Sequence, residues 1–198
     1  MSSVLVIACG ALARELVQLK QLNQWDEINI QCVPAELHNR PERIPDAVEK
    51  LIIENRQQFD EIVIGYADCG TGGGLDRLAE KYQVTRIPGA HCYEFFAGSD
   101  VFHDLAEREL GTLYLTDYLA RNFHRLLVKG MGIDRHPELK DMLFGNYRKV
   151  VYLAQDDSEP YAGEARQAAE FLGLEYESII TGLSPLDQAL SPLVAESA

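Results

Sequence analysis

Short apolar runs of strand length alternate with amphipathic stretches along most of this chain, and that alternation most constrains its fold. Residues 3–9 read as a buried strand ending in Cys9-Gly10, and a helical pattern follows with Leu12, Leu16, Val17 and Leu19 on one face. Residues 28–33 form a second strand, broken at Pro34. After the loop Glu36-Leu-His-Asn-Arg-Pro-Glu42, a helix runs from Pro45 to about Gln57, with Pro45 suited to its first turn. Residues 61–66 make a third strand, 75–82 a helix and 84–87 a short fourth strand. Strand, helix, strand in this order specifies an α/β fold, Rossmann-like, with a mainly parallel sheet, helices on both faces and right-handed crossovers.

Residues 99–145 read as mostly helical, with Leu113, Leu115, Tyr118, Leu119, Phe123 and Leu126 as the buried set. A core strand at 149–155, a helix at 161–172 and a strand at 175–181 complete a further unit. There is no repeat, low-complexity tract or linker, so residues 1–198 read as a single α/β domain.

Composition narrows the function classes. With 46% hydrophobic and 25% charged residues the chain is globular rather than disordered. No apolar run approaches the roughly 18 residues of a membrane helix, and the N-terminus lacks a signal-peptide pattern, which points to the cytoplasm. A formal charge of −13 opposes generic binding to nucleic acid or anionic lipid, although a local basic pocket can still hold a small anion. Four cysteines are too few for a disulfide scaffold and indicate a reducing compartment.

Their positions are the most informative feature. Cys9, Cys69 and Cys92 each fall at or just beyond the carboxyl end of an expected strand, the edge where open α/β sheets bind ligands. If the strand order is 2-1-3-4, strands 1, 3 and 4 are neighbours and their loops can bring these thiols to one point. Such a site suits a 4Fe–4S cluster held by three cysteines with one open iron. It suits equally zinc held by three cysteines and a histidine, His38 or His91. The alternative is that all three are small buried apolar side chains. Cys32, mid-strand between Gln31 and Val33, reads as a buried structural thiol.

Around these cysteines lie further candidates. Cys69-Gly-Thr-Gly-Gly-Gly74 follows a strand and opens a helix, so the amides of Gly70, Thr71, Gly72 and Gly73 can curl around an anion or cluster, as can Gly10 after the first strand. It lacks the Lys-Ser/Thr ending of a P-loop, and a plain tight turn is the competing reading. His91 adjoins Cys92, and adjacent side chains diverge in regular structure, so Cys92 is the ligand and His91 the proton donor or an exposed loop residue. His38 and Glu94 are further acid–base candidates, and Arg40 and Arg135 are candidate anion holders. Asp134-Arg-His-Pro-Glu138 reads as a helix start capped by Asp134, and Thr116 or Asp117 as a cap for the next helix.

Several stretches resemble a family known only as a domain of unknown function, number sixteen thirty-eight. They are Ala8-Cys-Gly10, Leu37-His-Asn-Arg-Pro-Glu42, Gly65-Tyr-Ala-Asp-Cys-Gly-Thr-Gly-Gly73, His91-Cys-Tyr-Glu-Phe-Phe-Ala-Gly98, residues 111–119, Asp134-Arg-His-Pro-Glu138 and Asn146-Tyr-Arg-Lys-Val-Val-Tyr-Leu-Ala-Gln155. The resemblance implies a soluble bacterial or archaeal protein in corrinoid-dependent methyl transfer and one-carbon metabolism. It supplies a setting and no catalytic residue, so the site rests on topology. The expected function is a metal-site protein in that chemistry, a metal-dependent transferase or lyase. The alternative is a non-catalytic cofactor-binding or accessory module that docks on a corrinoid methyltransferase component.

Overall fold

The computed structural model describes residues 3–195. They fall into two compact units, one running to Phe95 and resuming at Leu186, the other spanning Phe96–Pro185. In chain order the elements are β1 (Val4–Cys9), α1 (Ala13–Leu22), β2 (Ile28–Val33), α2 (Ile44–Asn55), β3 (Glu61–Gly65), α3 (Gly74–Tyr82), β4 (Thr85–Arg86) and α4 (Cys92–Ala97). There follow α5 (Ser99–Arg108), β5 (Thr112–Thr116), α6 (Asp117–Arg121), a π-helical turn at His124–Lys129, α7 (Glu138–Phe144), β6 (Lys149–Ala154), α8 (Ala162–Leu172), β7 (Glu175–Ile180) and α9 (Ser184–Ala195).

The first unit carries a parallel sheet in the order β2-β1-β3-β4. Val4 to Ala8 of the central strand are at most 1% exposed, which is why β1 reads as an unbroken apolar run: both of its faces are covered. Each large aliphatic side chain buried there contributes roughly 1.5–3 kcal/mol. The winding reverses between the β1–β2 and β2–β3 crossovers, and right-handed connections then set α1 on one face and α2 and α3 on the other. Contact between α2 and α3 agrees with this. The crevice between β1 and β3 is therefore the switch point of the sheet.

The second unit carries a parallel sheet in the order β5-β6-β7, with Val150 to Ala154 of β6 buried at its centre. Helices α6 and α8 pack on each other and on these strands. The Rossmann-like α/β class holds. The strands form two sheets, one in each unit, where the sequence reading expected one mainly parallel sheet.

The difference traces to β5. Thr112-Leu-Tyr-Leu-Thr116 lies in a stretch read as helical, yet alternating β-branched and aromatic residues suit a strand, and pairing with β6 decides it. Leu115, Leu119, Phe123 and Leu126 are buried as expected, while Leu113 and Tyr118 are only half-buried. Thr116 caps α6, its hydroxyl accepting from the Leu119 amide at 3.4 Å. The next residue, Asp117, is buried and accepts from the Tyr152 hydroxyl at 2.7 Å and the Gln155 amide at 3.3 Å. Asp134 does not start a helix, since α7 begins four residues later behind Pro137.

Among the described residues no helix is long and apolar enough to cross a membrane.

Candidate functional site

The carboxyl edge of the first sheet gathers the cysteines. Cys9 closes β1, and Cys69 lies four residues beyond β3. Cys92 opens α4 a few residues after β4, as the first residue of a helix rather than part of an irregular loop. Two backbone bonds register the last two loops, Asp68 N–H to Gly89 O at 3.0 Å and Cys69 N–H to Ala90 O at 2.8 Å. Together they bring the Cys69 and Cys92 sulfurs to 2.9 Å. All four cysteines are free thiols.

The Cys92 thiol holds the Cys69 pKa below the ordinary thiol value, against desolvation, and the Cys92 amide adds to the effect; Asp68 opposes it and Arg86 assists. Cys92 moves well upward, first because it hydrogen-bonds to Cys69 and then through burial and the charges of Cys69 and Cys9. Burial pushes Cys9 up, against hydrogen bonds from the Ala11 amide (3.5 Å) and the Tyr66 hydroxyl, with Cys69 and Glu36 adding to the rise. Tyr66 is 2% exposed, and burial followed by its three cysteine neighbours raises its pKa. Cys69 and Cys92 are in direct contact, and Cys9 acts on them through its charge. Among the described residues, however, no three His, Cys, Asp or Glu side chains are arranged to hold a metal ion.

Cys32 departs from expectation: it is exposed. β2 is an edge strand, and only its end residues, Ile28 and Val33, are buried. Partial desolvation and the neighbouring Cys9 nonetheless push its thiol up to about 11.

The glycine-rich loop holds an anion of its own. The Asp68 carboxylate accepts from the Thr71 hydroxyl (2.7 Å), the Gly73 amide (2.7 Å) and the Gly72 amide (3.2 Å). Burial works against the charge, but those donors, with Arg86 beyond, hold its pKa below the usual carboxylate value. An incoming anion would have to displace this carboxylate from Gly72 and Gly73. Gly73 turns at φ +74°, and a Cβ on Gly74 would stand 2.7 Å from the Pro45 ring, so this corner demands glycine for shape. Gly10 is similarly constrained: a Cβ there would meet Val33 O at 3.1 Å and Ala35 N at 3.3 Å, where β1 and β2 end side by side. A side chain at Gly70 would reach Pro41, which sets the loop carrying His38 and Arg40 beside the Cys69 loop.

His38 and His91 flank Tyr93, with ring centroids 6.5 and 6.2 Å from it. Both histidines are solvent-exposed, yet crowding and then the charge of His91 lower the His38 pKa. Arg40 is exposed on the same loop. Glu94 turns back to accept from the Ala90 amide (2.7 Å) and, more distantly, the His91 amide (3.5 Å), closing the turn into α4. Arg135 belongs to the second unit, 75% exposed at its side chain and 3.9 Å from Asp134.

Three residues of this edge were not singled out from sequence: Tyr66, Asp68 and Arg86. Arg86 binds Asp76 at 2.6 Å and the carbonyls of Tyr66 (3.2 Å) and Ile87 (2.8 Å), tying β3, β4 and α3 together beneath Cys69. Asp68 carried a readable signal, since aspartate before a glycine run is a residue that bonds the backbone ahead of it.

A family model described as "Protein of unknown function (DUF1638)" matches residues 32–190, a span that includes Cys32, Cys69 and Cys92. No curated protein and no solved structure matches the chain.

Proposed function

Since the chain belongs to the DUF1638 family of proteins of unknown function, we propose its role from the chemistry of the site: Cys9, Cys69 and Cys92 form a thiolate centre for a soft metal, zinc or a 4Fe–4S cluster, serving corrinoid-linked or related one-carbon and methyl-transfer chemistry in a reducing cytoplasm. One observation supports this reading above others: Cys69, from the loop after β3, and Cys92, from the start of α4, meet at 2.9 Å on the sheet edge where Cys9 ends β1. Spacing favours zinc. Tetrahedral zinc with bonds of ~2.3 Å sets its sulfurs about 3.8 Å apart, so the 2.9 Å pair opens by about 0.9 Å. A cubane seats each cysteine on a different iron and demands a wider opening.

In this proposal Cys69 is deprotonated most readily, and the metal would supply Lewis acidity and hold the thiolates ionised at neutral pH. His38 or His91 completes the coordination or carries protons. Arg40 holds an anionic group of the substrate. Glu94 acts through the turn it closes.

A second reading is a non-catalytic accessory module that docks on a corrinoid methyltransferase component. Among the described residues no three His, Cys, Asp or Glu side chains are arranged around a metal position, which keeps this reading open beside the first.

Protein purified without oxygen and analysed for iron, zinc and cobalt separates the two. Stoichiometric zinc, or iron with a broad band near ~400 nm from thiolate-to-iron charge transfer, lost in Cys69→Ser, supports the metal centre. Folded, metal-free protein that also fails to take up added zinc overturns it and leaves the accessory module.

A further inference from the structure

We propose that Cys69 and Cys92 constitute a thiol–disulfide exchange site that reduces a disulfide-bearing molecule and closes into an intrachain disulfide. This activity stands independently of the metal reading. The two sulfurs are 2.9 Å apart, and a disulfide bond of ~2.05 Å needs them to close by about 0.9 Å. Their loops are already joined by backbone bonds on the cysteine side, at Asp68–Gly89 and Cys69–Ala90, so closure calls on side-chain torsions rather than on docking two distant segments. Cys69, which meets the reagent, is partly accessible as a residue, and Cys92 needs to reach only Cys69.

The roles follow from the hydrogen bonds. Either thiol can donate across the 2.9 Å contact, but the Cys92 amide bonds Cys69 alone, so Cys69 is assigned as the attacking thiolate and Cys92 as the resolving thiol. Cys69 attacks one sulfur of a disulfide RSSR; a Cys69–SR bond forms, the S–S bond of the reagent breaks, and one RS⁻ leaves and takes up the Cys69 proton. Cys92 then gives its proton to solvent base and attacks Cys69 Sγ. The Cys69–SR bond breaks, the second RS⁻ leaves and is protonated, and Cys69–Cys92 is formed. Two electrons and two protons pass from the pair to RSSR, yielding two RSH. Cys9, behind Tyr66 and 7% exposed, and Cys32, on the far edge strand, take no part.

The test uses full-length reduced protein held in chelator, so that metal affinity does not enter, and oxidised glutathione as the probe. After equilibration, quenched and unfolded protein is titrated for thiols and digested without reduction for mass spectrometry. The expected result is a fall from four thiols to two, with a peptide pair bridged through Cys69 and Cys92 and a return to four on adding dithiothreitol. Cys92→Ser is expected to trap glutathione on Cys69, and Cys32→Ser to leave bridging unchanged. A protein that keeps four thiols, is modified only at Cys32, or bridges through Cys9 or Cys32 overturns the proposal. Because metal is withheld, a failed zinc analysis and a failed bridge are separate results.

Discussion

Replacing Asp68 with alanine removes the acceptor for three donors at once, the Thr71 hydroxyl and the Gly72 and Gly73 amides. A buried hydrogen bond to a charged group is worth about 1.5–3 kcal/mol, but this loop is half open to water, which re-bonds freed amides. About 1 kcal/mol for each of the two amides, with little from the hydroxyl, gives a loss near 2 kcal/mol. At about 2–4 °C per kcal/mol for a chain of this length, Tm falls by about 4–8 °C. Urea denaturation at neutral pH measures the loss, and hydrogen exchange at Gly72 and Gly73 locates it. The folded pKa of Asp68 is depressed, so its contribution is fully present above the unfolded value near ~3.9 and is lost as pH falls through the folded value. Asp68→Asn is therefore expected to flatten this acid limb. The same substitutions lift a negative charge from beside Cys69, whose pKa that charge raises, so Cys69 alkylates faster at neutral pH as stability falls. A loss below about 0.5 kcal/mol with unchanged exchange at both glycines refutes this account of the loop.

Three further outcomes are expected. Cys32, exposed but pushed up to about 11, labels slowly with iodoacetamide at neutral pH and gains about tenfold in rate per pH unit up to about pH 10; first-place labelling at neutral pH contradicts this. Tyr152→Phe strips a 2.7 Å donor from the buried Asp117 carboxylate and costs about 2 kcal/mol by denaturant titration; a neutral result means Asp117 finds another donor. His38, its pKa lowered by crowding and by His91, titrates below the ordinary ~6.5 by NMR and moves upward in His91→Ala. Its contribution to stability is present above ~6.5 and is lost as pH falls through the folded value.

Much of the first unit was readable because its signals are local or topological. A strand buried on both faces must be apolar throughout, so β1 and β3 stand out, and the cysteines mark their ends. The 2-1-3-4 order was a supposition that no residue of the sequence fixes, and the structure has it. What escaped was set by partners. β5 is five residues between helical stretches, fixed by β6 from across the chain. The Cys32 thiol lies open because β2 is an edge, a placement that the polar Asn29 and Gln31 of the strand signalled and the reading of Cys32 as buried passed over. The glycine loop invited an external anion because its amides were visible in sequence while their internal occupant, Asp68, was not recognised as one. Tyr66 likewise reads as the end of a core strand, and only the fold turns its hydroxyl onto Cys9.

β4 has two residues, Thr85 and Arg86, each paired once to β3. The segment that presents His91 and Cys92 thus hangs from the shortest ladder in the sheet, while Cys9 is anchored by a central strand of six. The cluster has one stiff wall and one compliant wall. Separations measured from Cys9 to the body of the sheet are expected to vary least, and the gap between Cys69 and Cys92 to change through side-chain torsions, since the Asp68–Gly89 and Cys69–Ala90 bonds hold the two loops in register. Were an ion or a bridge to form there, the adjustment is expected on the β4 side, up to the limit set by the bonds of Arg86 to Asp76 and to the Tyr66 and Ile87 carbonyls.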